Sequence, residues 1–258
     1  MTTGRSDSSL TALPVGVDAR GLTKEFPQRR REPVMAAADV SFRCFHGEVF
    51  GLLGPNGAGK TTTLRMLSTV LRPTRGTALV AGYDIADDPL GVRRHIGYLS
   101  TNTGLYDRLT ARETLLYFGR LHGLGRDALQ KRVDELASVF DMADFGDVRC
   151  EKLSTGMRQK VSIARAVIHD PPVLIFDEPT LGLDILVAET LIRFIEDCRT
   201  RGKCVLFSTH NMSEVERLCD RIGVIHKGRL RAVGTLEELR GLTRRHYLEE
   251  IFVSLMDG

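Results

Sequence analysis

The sequence predicts an α/β protein organised on a parallel β-sheet whose strand ends handle phosphate, and three stretches carry that prediction. The first is the apolar run Val49-Phe50-Gly51-Leu52-Leu53, which feeds the segment Gly54-Pro55-Asn56-Gly57-Ala58-Gly59-Lys60-Thr61 and the helix start Thr62-Thr63-Leu64-Arg65-Met66-Leu67. Strand, glycine-rich loop and helix in that order make a phosphate-binding loop. The glycines let backbone N–H groups turn inward and approach a polyphosphate, and the helix N-terminus adds about half a positive charge behind them. In such a loop Lys60 reaches the β and γ phosphates and the Thr61 hydroxyl ligates Mg2+.

The second stretch is Pro171-Pro172-Val173-Leu174-Ile175-Phe176-Asp177-Glu178-Pro179-Thr180. A short run of bulky apolar residues bounded by prolines reads as a buried parallel strand, and two carboxylates sit at its C-terminal end. Beside a phosphate loop, an Asp at the end of a neighbouring strand supplies the second contact to Mg2+, which is the place of Asp177. Glu178 is then positioned to accept a proton from an attacking water. The third stretch, Cys204-Val205-Leu206-Phe207-Ser208-Thr209, ends at His210. Ligands of open α/β sheets lie outside the carboxyl ends of the strands, and this is the third strand end to carry a phosphate-type group.

With 258 residues the chain can bury a full core, as one large or two small domains. The net charge of +3 is too small to argue for nucleic acid, and the runs Arg29-Arg30-Arg31 and Arg244-Arg245-His246 read as solvated surface. The five cysteines form no CxxC pair and no metal spacing, so they read as reduced thiols of the cytosol. Met1 to Val15 is rich in Ser and Thr without an apolar core, so it is neither signal peptide nor anchor, and residues 1–14 are expected to be a disordered tail. No stretch reaches the roughly eighteen consecutive apolar residues of a transmembrane helix, so work at a membrane requires another chain to cross it.

The remaining elements follow in order. Val15 to Ala19 reads as a strand and Leu22 to Phe26 continues it; a polar loop holding Arg29 to Pro33 leads to a second strand, Met35 to Phe42. After the phosphate-loop helix, Leu71 to Gly76 is a turn by its Pro and Gly, and Thr77 to Tyr83 is a strand. Ile96 to Leu99 is a short strand ending in the polar loop Ser100 to Gly104. From Thr110 to Phe145 the pattern is helical. Thr110 with Glu113 forms a capping box, the run from Leu115 stops at Gly123 to Gly125, and Leu129, Val133, Leu136 and Phe140 share one face of a second helix. Helices inserted between strands predict a small helical subdomain. Leu153 to Lys160 then leads into a helix over Val161 to Ile168, and Ser154 alone would be an N-cap. Asn211 to Asp220 is a further helix, Ile222 to Ile225 and Leu230 to Val233 make a hairpin through Lys227-Gly228, Thr235 and Glu238 form another capping box, and Tyr247 to Met256 is an amphipathic helix.

Over roughly residues 15–240 the chain resembles the ATP-binding cassette (ABC) ATPases, the nucleotide-binding subunits of ABC transporters. The matching motifs are Gly54 to Thr61 (Walker A), Leu153 to Met157 (the signature), Val173 to Glu178 (Walker B with its glutamate), Gly182-Leu183-Asp184 (the D-loop) and His210 (the switch histidine). The resemblance implies a P-loop NTPase with a RecA-like parallel core, an antiparallel β part, a helical subdomain inserted over about 98–165, and a C-terminal helix over 241–258. It implies Lys60, Glu178 and His210 as catalytic residues. ATP contacts would come from Phe26, stacking on adenine, from Gly54, Pro55, Asn56, Gly57, Ala58, Gly59, Lys60, Thr61 and Thr62, and from Ser154, Gly156 and Asp184. Thr61 and Asp177 would hold Mg2+.

The chain departs from the family pattern at two places. Thr155 and Met157 replace a glycine and the glutamine of the usual signature, leaving Ser154 and Gly156 to offer a hydroxyl and a backbone N–H. At the Q-loop, Thr101 stands where a glutamine normally contacts Mg2+ and water, followed by Asn102; Thr101 offers a hydroxyl in its place. The stretch Asn102 to Thr110 is similar to the sodium-extrusion branch. The resemblance further implies two chains, identical or paralogous, sandwiching two ATP molecules, with the signature of one completing the site of the other. A membrane-spanning permease would hold the pair at the cytoplasmic face of the cell membrane, touched by loops near Thr101 to Arg112, for export of an ion, Na+ among them, or a small molecule. The alternatives are a soluble ABC ATPase acting on nucleic acid or ribosomes, whose usual long coiled coil or tandem cassette the sequence lacks, and a non-hydrolytic ATP-gated clamp, against which Glu178 argues.

Overall fold

The computed structural model describes residues 13–28, 31–100 and 104–257. In chain order, β1 (Val15–Gln28), β2 (Arg31–Phe45) and β3 (Val49–Leu53) lead to α1 (Lys60–Leu67), β4 (Arg75–Val80), β5 (Tyr83–Asp84), α2 (Pro89–His95) and β6 (Ile96–Leu99). Three helices, α3 (Ala111–Leu121), α4 (Arg126–Val139) and α5 (Thr155–Ala166), occupy the interval before β7 (Val173–Asp177). The chain continues through α6 (Ile185–Thr200), β8 (Cys204–Thr209), α7 (Met212–Leu218), β9 (Arg221–His226), β10 (Arg229–Gly234), α8 (Leu236–Thr243) and α9 (Leu248–Asp257).

The strands sort into two sheets by their patterning. Strands β3, β7 and β8 are apolar at nearly every position and buried along their whole length, the mark of parallel strands covered on both faces. They form the middle of a sheet ordered β10-β9-β3-β8-β7-β6, parallel except for the β9–β10 hairpin. The longer, partly exposed β1 and β2 join β4 and β5 in an antiparallel sheet ordered β2-β1-β4-β5. The phosphate loop leaves β3 between β8 and β9, so the groups at the ends of β7 and β8 flank it from one side.

Several boundaries differ from the sequence reading. The two early runs are one strand, β1, with register shifts where Gly21 takes a positive φ. The polar loop before β2 is shorter than Arg29 to Pro33, because Gln28 pairs with Arg31; Arg29 and Arg30 lie outside the described residues, as do residues 1–12 of the expected tail. The strand expected over Thr77 to Tyr83 is a hairpin that turns at Ala81 (φ 50) and Gly82 (φ 84). Helices α2 and α6 are absent from the sequence reading. Asp88 caps α2 by accepting from the Gly91 N–H, with proline in the first turn, and Asp184 caps α6 by accepting from the Val187 N–H. Helix α8 runs on to Thr243, past the boundary drawn at 240.

The core forms around three apolar clusters. Leu129, Val133, Leu136 and Phe140, the predicted face of α4, are each at most 2% exposed and join Leu115, Ile163, Phe194 and Phe207. Burial of each such side chain contributes about 1.5–3 kcal/mol. A second cluster joins the two sheets through Phe42, Phe50, Leu64 and Val80. In the third, Leu248, Ile251 and Phe252 of α9 pack with Leu53, Val215 and Val224, so the C-terminal helix is seated on the parallel sheet. Four of the cysteines are buried and Cys219 is half-buried. Burial pushes the thiols of Cys44 and Cys219 well above their ordinary range and that of Cys198 to about 12.

Candidate functional site

The phosphate loop has the shape it does because two of its glycines sit where no side chain fits. Gly59 caps α1 with φ 106, and a Cβ there would come within 2.5 Å of the Ala36 carbonyl oxygen. A Cβ on Gly54 would meet the Ile225 carbonyl oxygen at 2.5 Å. The loop closes around a cleft of about 580 Å3 lined by Ala36, by every residue from Pro55 to Thr62, and by Glu178 and Leu181.

Lys60 is 5% exposed at the back of this cleft. Its ammonium donates to the carbonyls of Gly54 (2.5 Å) and Pro55 (3.2 Å), and stands 3.0 Å from Glu178 Oε1 as an ion pair without hydrogen-bond alignment. The other oxygen of that carboxylate, Oε2, lies 2.8 Å from His210 Nδ1. An ionised Glu178 accepts there, which puts a proton on Nδ1. Glu178 itself holds a left-handed backbone, φ 49, unusual for a residue with a Cβ and costing about 1–2 kcal/mol. Its N–H is shared between the carbonyl (3.2 Å) and the hydroxyl (3.0 Å) of Ser208.

Asp177 is fully buried beside it. Its Oδ1 accepts from the hydroxyls of Thr61 (3.1 Å) and Ser208 (2.7 Å), whereas the buried Oδ2 has no partner. A buried carboxylate with one unpartnered oxygen, bonded through the other to a threonine hydroxyl of the phosphate loop, fits a divalent cation. Among the described residues no group of three or more His, Cys, Asp and Glu side chains could hold a metal alone. Mg2+ requires none, since it retains waters and takes its other ligands from phosphates.

The fold therefore brings Lys60, Thr61, Asp177, Glu178 and His210 together at the ends of three adjacent parallel strands, β3, β7 and β8. Other expected contacts stand apart from this cleft. Ser154 caps α5, its hydroxyl accepting from the Met157 N–H at 3.3 Å, so the capping role and an exposed position coexist. Gly156 lies against α6, where a Cβ would come within 3.5 Å of Asp184 Oδ2. Neither Ser154, Gly156 nor Asp184 lines the cleft. Phe26 does not line it either; it is 40% exposed on β1 with Lys24 Nζ 5.4 Å above its ring. Thr101 lies outside the described residues.

Three features of the site escape sequence reading. Ser208 was legible only as a polar residue inside an apolar strand, two positions before His210. The Lys60–Glu178 pair joins residues that motif reading assigns to separate tasks. Gln159 donates from α5 to the Pro179 carbonyl at 2.8 Å, linking the signature helix to the turn after β7. Beside these stand the exposed apolar side chains Leu181, Ile185 and Leu186, the last two 86% and 80% exposed.

Comparison with known proteins agrees with this geometry. The family profile for the ABC transporter matches residues 37–181. The chain is 46% identical over 228 residues to the ABC transporter ATP-binding protein NatA of Bacillus subtilis, covering 88% of this chain and 93% of that one. It is 41% identical over 207 residues to the doxorubicin resistance ATP-binding protein DrrA of Mycobacterium tuberculosis, covering 80% of this chain and 62% of the relative. Among solved structures, the ATP-binding subunit of an ABC transporter superposes with a TM-score of 0.84 at 33% identity, over 93% of this chain and 98% of that one. A dimeric post-hydrolysis state of the ATP-binding cassette MJ0796 with ADP and Pi superposes with a TM-score of 0.78 at 25% identity, over 85% of this chain and 98% of that one.

Proposed function

This chain belongs to the ABC transporter family as an ATP-binding and ATP-hydrolysing subunit, and on that footing we propose that it powers export of an ion or small molecule through a separate membrane-spanning partner. The observation that carries the reading is the convergence of Lys60 and His210 on the two oxygens of Glu178, at the cleft that the phosphate loop lines. No helix of the described residues is long and apolar enough to cross a membrane, which fits a division of labour with a permease at the cytoplasmic face. Na+ is the ion that best suits the likeness of Asn102 to Thr110 to sodium-extrusion ATPases.

In the proposed reaction the γ-phosphate enters beside the phosphate loop and draws Lys60 away from Glu178. The released carboxylate takes a proton from the water that attacks phosphorus, the bond from the γ-phosphorus to the bridging oxygen breaks, and ADP and phosphate result. His210 holds the Glu178 carboxylate through Nδ1 in the orientation that accepts this proton. Thr61 and Asp177 would hold Mg2+, which would supply positive charge against the negative charge developing on the transferred phosphate. Ser154, Gly156 and Asp184 would complete the site of a second copy or a paralogue, because they stand away from the cleft of their own chain. Phe26 would meet adenine at the outer edge of the cleft, and Thr101 would stand near the metal. The chain would divide into a cassette over 15–240, with its helical subdomain over about 98–165, and a C-terminal portion.

The test is the Glu178→Gln variant. It should bind ATP normally while turnover falls roughly 10²- to 10⁴-fold, the range for loss of a general base. Trapped with ATP in its host and drawn from detergent-solubilised membranes, it should bring a polytopic membrane protein at fixed ratio. Unchanged turnover would remove Glu178 from the base role, and ribosomes or DNA in place of the membrane protein would overturn the transport reading.

A further inference from the structure

Ser208 lies on β8 directly opposite Asp177 of β7 in the parallel register, and it is completely buried. A hydroxyl carries one proton and two lone pairs. Here the proton goes to Asp177 Oδ1 at 2.7 Å and a lone pair receives the Glu178 N–H at 3.0 Å. The same side chain thus touches both consecutive carboxylate residues, one through its side chain and the other through its backbone. Thr61 also donates to Oδ1, so both hydroxyls converge on one oxygen of Asp177 and leave Oδ2 without a partner among the described residues. A valine or alanine at 208 would leave Oδ1 held by Thr61 alone, and Thr61 is the hydroxyl that a cation would also engage.

The second contact acts on Glu178. Its left-handed backbone, φ 49, turns the chain out of β7 and brings the carboxylate back between Lys60 and His210. Among the described residues the N–H that fixes this turn has only Ser208 as acceptor, through its carbonyl and its hydroxyl. We propose that Ser208 is a positioning residue that sets the carboxylate of Asp177, a Mg2+ ligand in the function proposed above, and the proton-accepting carboxylate of Glu178 in register with each other. It is completely buried and acts through these two neighbours. The proposal rests on the ATPase reading for its catalytic half, whereas its metal half concerns only how Asp177 is held.

The experiment compares the full chain with Ser208→Ala and Ser208→Thr, measuring ATP binding after EDTA treatment, the Mg2+ concentration that half-restores tight ATP binding, and turnover. Ser208→Ala should leave metal-free ATP binding close to wild type, raise the half-restoring Mg2+ concentration about tenfold, and lower kcat by about the same factor, as loss of a group behind a metal ligand does. Ser208→Thr retains the hydroxyl and should return the Mg2+ requirement toward wild type. An unchanged Mg2+ requirement in Ser208→Ala overturns the proposal. So does a parallel fall of metal-free binding and melting temperature, which would make Ser208 a packing residue. Should wild type bind Mg2+ and ATP without turnover, the function proposed above fails, and the Mg2+ requirement still decides the role of Ser208.

Discussion

Lys60 concentrates the logic of the site in one ammonium group. Its donors are directed to two loop carbonyls and toward Glu178, so the ammonium and the carboxylate offset each other's charge. In the proposed reaction a γ-phosphate would draw Lys60 from Glu178 and free the carboxylate to accept a proton. Lys60→Ala removes the charge from the phosphate side and leaves a 10%-exposed carboxylate without its cation. Hydrogen bonds to charged groups contribute about 1.5–3 kcal/mol, so ATP affinity measured by calorimetry should fall roughly 10- to 150-fold. Wild-type affinity in that variant would refute the assignment of the loop. The histidine on the other side of Glu178 is 45% exposed, so the carboxylate is held between one buried and one accessible partner.

Among the elements, those with a strong local cause were legible. Strands β3, β7 and β8 announced themselves as apolar runs ending in polar groups, and α3 and α8 by capping boxes whose two halves are both formed. Helix α4 was legible from its spacing, and its face is the one the core uses. Phe140, 1% exposed and 5.1 Å from the Phe194 ring, anchors that face. Phe140→Ala should cost about 3–5 kcal/mol, read as a loss of denaturation midpoint in urea, and a cost under 1 kcal/mol would mean that the helical region is not packed as described. Helix α6 escaped because its start, Asp184, was read only for its place in a motif. The Ala81-Gly82 turn escaped because the run around it is uniformly apolar. The site residues on β3, β7 and β8 were legible because chemistry at a strand end is visible in one dimension. Ser208 and the Gln159 contact were not, since each depends on which strand or turn lies opposite, and that is decided by sheet order.

At the scale of the whole molecule, the buried Glu48 and the half-buried His169 act in opposite directions on stability. Burial raises Glu48 to about 7 against the opposing pull of Arg221, and it stands far from the cleft at the start of β3. Its folded form keeps a proton that the unfolded chain has released, so this group makes stability fall as pH rises from about 4.5 to about 7. Burial lowers His169 to about 4, where its ring stacks on His122 at 3.6 Å. The unfolded chain binds a proton there first, so this group makes stability fall as pH drops from about 6.5 to about 4. The two slopes offset each other in wild type. Glu48→Gln should leave the His169 slope exposed, with the melting temperature dropping by about 5 °C more than wild type between pH 6.5 and pH 5, as followed by circular dichroism. Equal pH profiles would show that Glu48 shares its environment with water. The seating of the five cysteines has a practical result for studying such a machine. Thiol-reactive dyes find little to attack in the native chain, so one cysteine introduced at the exposed Ile185 becomes a unique address for a fluorophore, and a pair of labelled subunits would serve as a ruler for the closing of the proposed nucleotide sandwich in real time.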